Sequence, residues 1–341
     1  MSVAKDLAFA RARIVRSYDF VAKDHHTRGE LWALGSVLGW SSANIFDRLA
    51  VQHGDPLVGP FLRGLPSLAL GLILMWKHGT WDEVRPRSGR FIGRRAIMPF
   101  VWAGVLSTLG LFLYYFAIRL GGVILTIPIL ETWVIWGTLA AWAMLGERLR
   151  GFLLIGWGLI ALGLGSLILG QLRGQPLSAS WYWALPLAAL AAVSYGVSGV
   201  LWRDGQLRGA HQSTAITLQF VASVGVGLIG LLVTGHGPAL AALPVGSLAD
   251  FLGSGIASGV VAIYCIFTAL RMLEVARVYA FSSLTPLAAT LFAWFFLHEA
   301  LNLFTFAGVV IVCLGVTVTQ IFGSRSAAKE RERETVEASR S

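Results

Sequence analysis

TLAAWAMLGERL (residues 138–149) and TLFAWFFLHEAL (residues 290–301) are one pattern written twice. A shift of 152 residues lays Thr138, Leu139, Ala141, Trp142, Leu145, Glu147 and Leu149 on Thr290, Leu291, Ala293, Trp294, Leu297, Glu299 and Leu301. Downstream the same shift pairs Phe152 with Phe304, Gly156 with Gly308, Leu162 with Leu314 and Gly163 with Gly315. Upstream it pairs Ala117 and Arg119 with Ala269 and Arg271. Shifts of 155–156 pair Arg48 with Arg203 and Arg63 with Gln219. Chance likeness between apolar helices is the competing reading. Paired Trp, Glu and Gly residues at fixed spacing count against it. The chain therefore reads as an internal repeat.

The repeating unit is made of membrane spans. The chain is 56% hydrophobic and 13% charged, where a soluble domain is about a quarter charged. Its apolar residues fall in blocks of about 20, the length that crosses a hydrocarbon core. Lipid cannot satisfy a free backbone N–H or C=O, so such blocks must be helices or a closed barrel. They lack sustained period-2 alternation, which argues for helices and against the barrel. The expected spans are 31–51, 56–76, 96–118, 121–145 and 151–171, then 181–202, 211–234, 248–272, 275–297 and 302–322. The fold expected is all-α, ten transmembrane helices as two inverted five-helix repeats, 30–172 and 180–322. Five is odd, so the halves enter the bilayer from opposite sides, as in many secondary transporters.

Residues 1–29 form a basic segment in which Leu7, Ala10 and Ile14 recur at helical spacing, as in a helix lying on the membrane surface. A cleaved signal peptide is not expected, because the first apolar run begins only at Leu31 and is long enough to stay. Residues 323–341 read as a charged, unstructured tail.

The excess of basic residues sets the topology. With the N-terminus inside, 23 of the 27 Lys and Arg residues fall in cytoplasmic segments. Only Arg119 and Arg173 fall outside, and Arg48 and Arg63 lie within helices. That split is the positive-inside pattern of a plasma (inner) membrane protein with both termini in the cytoplasm. It accounts for the net charge of +9 without a nucleic-acid partner.

On these residues the chain resembles the drug/metabolite transporter superfamily, and within it the EamA-type transporters. In that family each half ends with a helix carrying Pro, an acid thirteen residues later, and a Gly-bearing helix. Pro286, Glu299, Gly308 and Gly315 fit the second half. Glu147, Gly156 and Gly163 fit the first, where Val134 stands in place of the Pro and Pro128 offers a different kink. Arg63 in FLRGLPSLALG matches an arginine common in the family's second helix. The resemblance implies transport of a small organic metabolite, an amino acid, amine or related compound, by export or exchange.

Glu147 and Glu299 precede helices five and ten, where a carboxylate can cap the free N–H groups of the following helix. The paired glycines, seven residues apart, let helix backbones approach closely. Arg63 and Glu131 differ, because an ionisable residue inside the bilayer marks a functional site by default. Their depths differ by about 4–5 Å at 1.5 Å rise per residue. They can form a structural ion pair, or face a cavity that meets a charged or zwitterionic substrate. Asp47 and Arg48 lie near the outer end of helix one, where snorkelling is easy, and rank lower. Trp40, Trp133, Trp136, Tyr195 and Tyr264 are mid-span aromatics, and Asn44, Gln219 and Ser282 are polar groups able to line the same cavity. For any single aromatic, packing is the competing reading.

No phosphate-binding glycine loop is present, no metal-ligand spacing links the histidines or cysteines, and no His/Asp/Glu or Ser/His set clusters in the helices. Neither cofactor nor catalysis is expected. The partners expected are the lipid bilayer and a small-molecule substrate. The competing reading from another class is a non-transporting receptor or scaffold. Reporter fusions at Ser341 and within residues 235–247 should report opposite sides of the membrane; the same side for both would sink the ten-helix topology.

Overall fold

The computed structural model describes residues 2–146, 151–173, 180–270, 272–273 and 275–338. These residues are helical with short connections and contain no strand. Helix α1 spans Ser2–His53, continuous through the segment expected to lie apart on the membrane surface. A tight turn leads into α2, Gly59–His78, which carries Pro60 in its first turn. There the missing N–H of proline costs nothing, since that donor has no helical partner.

Helix α3, Arg94–Leu130, joins two helices across a break at Gly122, whose backbone is at φ 72° and ψ −177°. A Cβ is strained there, so the turn requires glycine. Helix α4 is Trp133–Leu145 and α5 is Phe152–Arg173. The second half follows with α6 (Ala184–Leu207), α7 (Gln212–Val233), a short α8 (Gly237–Ala241) and α9 (Val245–Ile256). A π-helical turn, Ala257–Ala262, leads into α10, Ile263–Leu270. Helices α11 (Val275–Ser282), α12 (Thr285–Phe296) and α13 (Leu303–Ala338) complete the chain. The continuation of α13 to Ala338 corrects the expected unstructured tail. Its residues 326–334 are mainly Ala, Glu, Lys and Arg, all strong helix formers.

Among the described residues seven helical stretches are long and apolar enough to cross a membrane: Gly59–His78, Arg94–Leu130, Leu153–Gly170, Trp181–Leu207, Gln212–Val233, Val245–Ile266 and Leu303–Gln320. The other expected spans are α1 and two broken helices. One break falls at Glu131–Thr132, between α3 and α4. The other falls at Ser283–Leu284, between α11 and α12. The 152-residue shift places the first break on the second. Proline stands close to each, Pro128 three residues before Glu131 and Pro286 three after Ser283, and each withholds a helical N–H.

Equivalent helices pack on each other and run antiparallel. Gly156 of α5 lies against Gly315 of α13, and Gly163 against Gly308. A Cβ on Gly163 would stand 2.7 Å from the Gly308 carbonyl oxygen, and one on Gly308 would stand 2.7 Å from that of Gly163. The contact is unchanged when the halves are exchanged, which is a two-fold relation. Helices α2 and α7 do the same, with Gly64 facing Val224 and Gly71 facing Thr217. At such separations only glycine lets the backbones meet. Gly163→Val should therefore lower the Tm measured in detergent, with overpacking costing about 1–3 kcal/mol or more. Gly165 has nothing within 4 Å of a Cβ, and Gly165→Ala should leave Tm unchanged or raise it, a gain of under about 1 kcal/mol. Equal effects at the two positions would refute the close approach.

Candidate functional site

Asp47 of α1 is fully buried. The α1–α2 hairpin sets Arg63 opposite it, and Arg63 Nη1 donates to Asp47 Oδ2 at 2.5 Å. The Tyr115 hydroxyl donates to Asp47 Oδ1 at 2.8 Å. The Tyr114 hydroxyl stands 3.1 Å from Asp47 Oδ2 and 3.0 Å from Asn44 Oδ1, either of which can accept its proton. The Arg63 guanidinium also lies 5.9 Å from the centre of the Tyr114 ring, within cation–π range. These contacts correct two expectations. Arg63 pairs with Asp47 and not with Glu131, and Asp47 does not snorkel. Across a hairpin whose turn is centred near residue 55, positions 47 and 63 sit at one depth.

A cavity of about 370 Å3 opens beside this cluster. Trp40 and Asn44 reach it from α1, Arg63 from α2, and Tyr114, Ile127 and Leu130 from α3. Glu131 enters at the break and Trp133 from the start of α4. Tyr195 of α6, Ile266 of α10, Ser282 of α11, Thr285 of α12 and Gln320 of α13 complete the wall. Trp133 Nε1 donates to Glu131 Oε2 at 3.1 Å. Among the described residues Glu131 has no ion-pair partner.

Seven of the ten candidate residues thus meet at one cavity: Arg63, Glu131, Trp40, Asn44, Trp133, Tyr195 and Ser282. Three do not. Tyr264 is 61% exposed on the outside of the bundle, with its ring edge-on to Trp32. Trp136 is 39% exposed and packs its Cβ near Gly196. Gln219 sits where α7 crosses α3 at Gly104, and α7 contributes nothing to the cavity wall, against expectation. Residues 114, 285 and 320 were not among the candidates. Gln320 carried a signal, a lone amide in the apolar run VTVTQIF. Tyr114 and Thr285 carried none that separates them from packing residues.

Arg48 also does not snorkel. Its Nη1 donates to the carbonyls of Ile118 and Arg119, each at 2.7 Å, and its Nε lies 3.6 Å from Glu299 Oε1. Glu299 does cap a helix, but not the following one. Its two carboxylate oxygens accept the N–H groups of Val123 and Ile124 at 3.0 Å, just past the Gly122 break. The next helix, α13, is capped by Asn302, whose Oδ1 accepts Thr305 N–H at 2.9 Å. Glu147, expected to do for the first half what Glu299 does for the second, lies outside the described residues. A second pocket, about 440 Å3, lies at the α1–α2 turn around His53, Asp55, Arg119 and His236, and includes none of the candidates. Among the described residues no group of three His, Cys, Asp or Glu is placed to hold a metal ion.

A family model, that of the EamA-like transporter family, matches residues 27–169 and 182–320, which together make up most of the chain. No curated protein matches it. One solved structure, "Crystal structure of protein", is similar with a TM-score of 0.58 at 16% identity, over 88% of this chain and 99% of that one. At that identity the likeness is one of fold.

The pairing predicts unequal stabilities. Asp47→Asn leaves Arg63 buried without its counter-charge and should cost about 3–5 kcal/mol. The double change Asp47→Asn with Arg63→Met should recover much of that loss. Glu131→Gln removes no counter-charge from a cation and should move the Tm in detergent far less than Asp47→Asn. A larger loss for Glu131→Gln would refute the pairing.

Proposed function

The chain belongs to the EamA-like transporter family, and on that premise we propose that it is a ten-helix secondary transporter which exports or exchanges a small organic metabolite. Membership alone makes it a multi-pass membrane transporter of small molecules. The finer reading is supported above all by Glu131. This carboxylate stands at a break in a helix, faces a cavity, and among the described residues has no ion-pair partner. Irregular backbone within a membrane protein is tolerated where it is buried in protein or lines a cavity. Transporters use such broken helices to build substrate sites at the interface of their repeats.

The volume of about 370 Å3 suits a molecule of metabolite size, since pockets for small molecules begin near about 300 Å3. The wall is mixed, with aromatic faces from Trp40, Trp133 and Tyr195 and polar groups from Asn44, Ser282 and Gln320. Such a wall fixes the orientation of a small polar solute through few contacts. Glu131 is the economical proton carrier. Its proton would be exchanged for substrate, so a proton gradient would drive export.

We place the protein in the plasma (inner) membrane with both termini cytoplasmic, from the distribution of Lys and Arg. The antiparallel packing of α5 on α13 and of α2 on α7 supports halves inserted in opposite senses.

Purified protein in proteoliposomes should transport at least one member of a panel of amino acids, amines and related metabolites. Glu131→Gln should remain folded and abolish transport or its dependence on pH. Absence of flux for every compound would favour a receptor or scaffold.

A further inference from the structure

We propose that the cavity accepts a protonated primary or secondary amine with an aromatic or aliphatic body, and rejects carboxylates. This rests on the transporter reading of the cavity and deepens it to a substrate class.

Charge is the first argument. Two cavity-facing residues carry a guanidinium or a carboxyl group, Arg63 and Glu131. Arg63 is held against Asp47 at 2.5 Å, and that pair is neutral as a unit. Tyr115 and Tyr114 converge on the same carboxylate, which fixes the pair in place. Among the described residues Glu131 has no such partner, so its carboxylate form leaves the cavity one negative charge. A cation entering restores neutrality, whereas an anion must share the Arg63 guanidinium with Asp47. Two carboxylates on one cation repel each other at low dielectric.

Hydrogen bonding is the second argument, and it is independent of the first. Gln320 lines the cavity, and among the described residues its buried Oε1 has no hydrogen-bond partner. A buried acceptor left unmatched costs about 1–3 kcal/mol. An N–H from a ligand satisfies it. Trp133 occupies Oε2 of Glu131 and leaves the other oxygen open to a second N–H. A carboxylate ligand offers neither group a proton. A quaternary ammonium offers charge but no N–H, so Gln320 separates it from a primary or secondary amine.

Aromatic faces are the third argument. Trp40 of α1, Trp133 of α4 and Tyr195 of α6 all line the wall. Aromatic faces attract a desolvated cation through the ring quadrupole and repel an anion.

Four probes with one aromatic body test the proposal: phenethylamine, phenylalanine, phenylacetate and trimethylphenethylammonium. Binding to the full-length protein in detergent is measured by calorimetry at pH 7. Phenethylamine should bind at least about tenfold more tightly than phenylalanine or phenylacetate, as expected for one charge pair in a desolvated site. Glu131→Gln should erase that preference. Gln320→Met should weaken phenethylamine and leave trimethylphenethylammonium unchanged. Equal or tighter binding of phenylacetate or phenylalanine overturns the proposal. So does binding of none of the four, or a preference that survives Glu131→Gln. If a variant does not fold, the order of the four probes on the native protein still decides. Uptake into proteoliposomes separates the two readings. Phenethylamine that binds without being carried counts against transport and leaves the amine site standing. Uptake of phenylacetate or phenylalanine with no binding of phenethylamine removes the amine site and leaves transport standing.

Discussion

The Asp47 carboxylate receives Arg63 and Tyr115, with Tyr114 shared between it and Asn44, and shows no surface to solvent. A carboxylate taken out of water costs several kcal/mol unless its lone pairs are occupied. Its contacts come from α1, α2 and α3, so the charge cannot be satisfied unless those three helices are docked. Tyr115 in turn stands edge-on to Phe251 of α9, with ring centres 5.5 Å apart. One buried anion therefore ties three helices of the first half together, and Tyr115 carries the contact on to the second. It also decides what the cavity presents, because it engages the guanidinium that would otherwise draw anions. The electrostatics of the site follow from a residue that does not line it.

Backbone groups impose the second constraint. A chain that breaks its helices within a membrane must find new partners for the freed N–H and C=O groups. At Glu131–Thr132 the chain tightens, with Thr132 N–H donating to Ile129 C=O and Ile135 N–H to Thr132 C=O. The Thr132 hydroxyl adds a bond to the same Ile129 carbonyl at 2.8 Å. At Gly122 the freed N–H groups of Val123 and Ile124 go to Glu299, from the other half of the molecule. A carboxylate at a helix N-terminus is favoured by the helix dipole as well as by its hydrogen bonds. Arg48 completes that junction by donating to the carbonyls of Ile118 and Arg119, at the end of the preceding helix. Further towards the N-terminal end of α1, Glu30 pairs with Arg277 of α11. Helix α1 is thus tied to the second half at two points by charged groups.

The repeat and the helical class were legible because both are carried by spacing along the chain. The same holds for the glycine seam. Gly156, Gly163, Gly308 and Gly315 were paired by the shift before they were seen to touch. Partners were less legible. Depth along a helix makes Arg63 and Glu131 possible partners, but depth says nothing about which helices are neighbours. Asp47 satisfied the same depth test, and the short α1–α2 turn made it the nearer partner. Glu299 was read as a cap, which it is, yet local sequence offered only the following helix as its target. The actual target, 175 or more residues away in sequence, is reached only through the fold. Aromatic residues were the least legible. Trp133 and Trp136 are three apart on one helix, and only Trp133 reaches the cavity.

The two halves share a fold but not a charge pattern, and that difference bears on function. The shifts that relate the repeats carry Asp47 to Trp202, Arg63 to Gln219 and Glu131 to Ser283. Ser283 is buried at its own helix break and hydrogen-bonds Thr317 at 2.5 Å. Every Arg, Asp and Glu of the cavity cluster therefore comes from the first repeat, while the second contributes Tyr195, Ser282, Thr285 and Gln320. Duplication supplies a scaffold in which helix breaks, glycine seams and neighbours recur. It also supplies two copies of each cavity position that need not stay alike. Both acids of the cluster stand on one half, and the second half faces them with hydroxyls, an amide and a ring, so a duplicated scaffold yields a site with one charged side and one uncharged side.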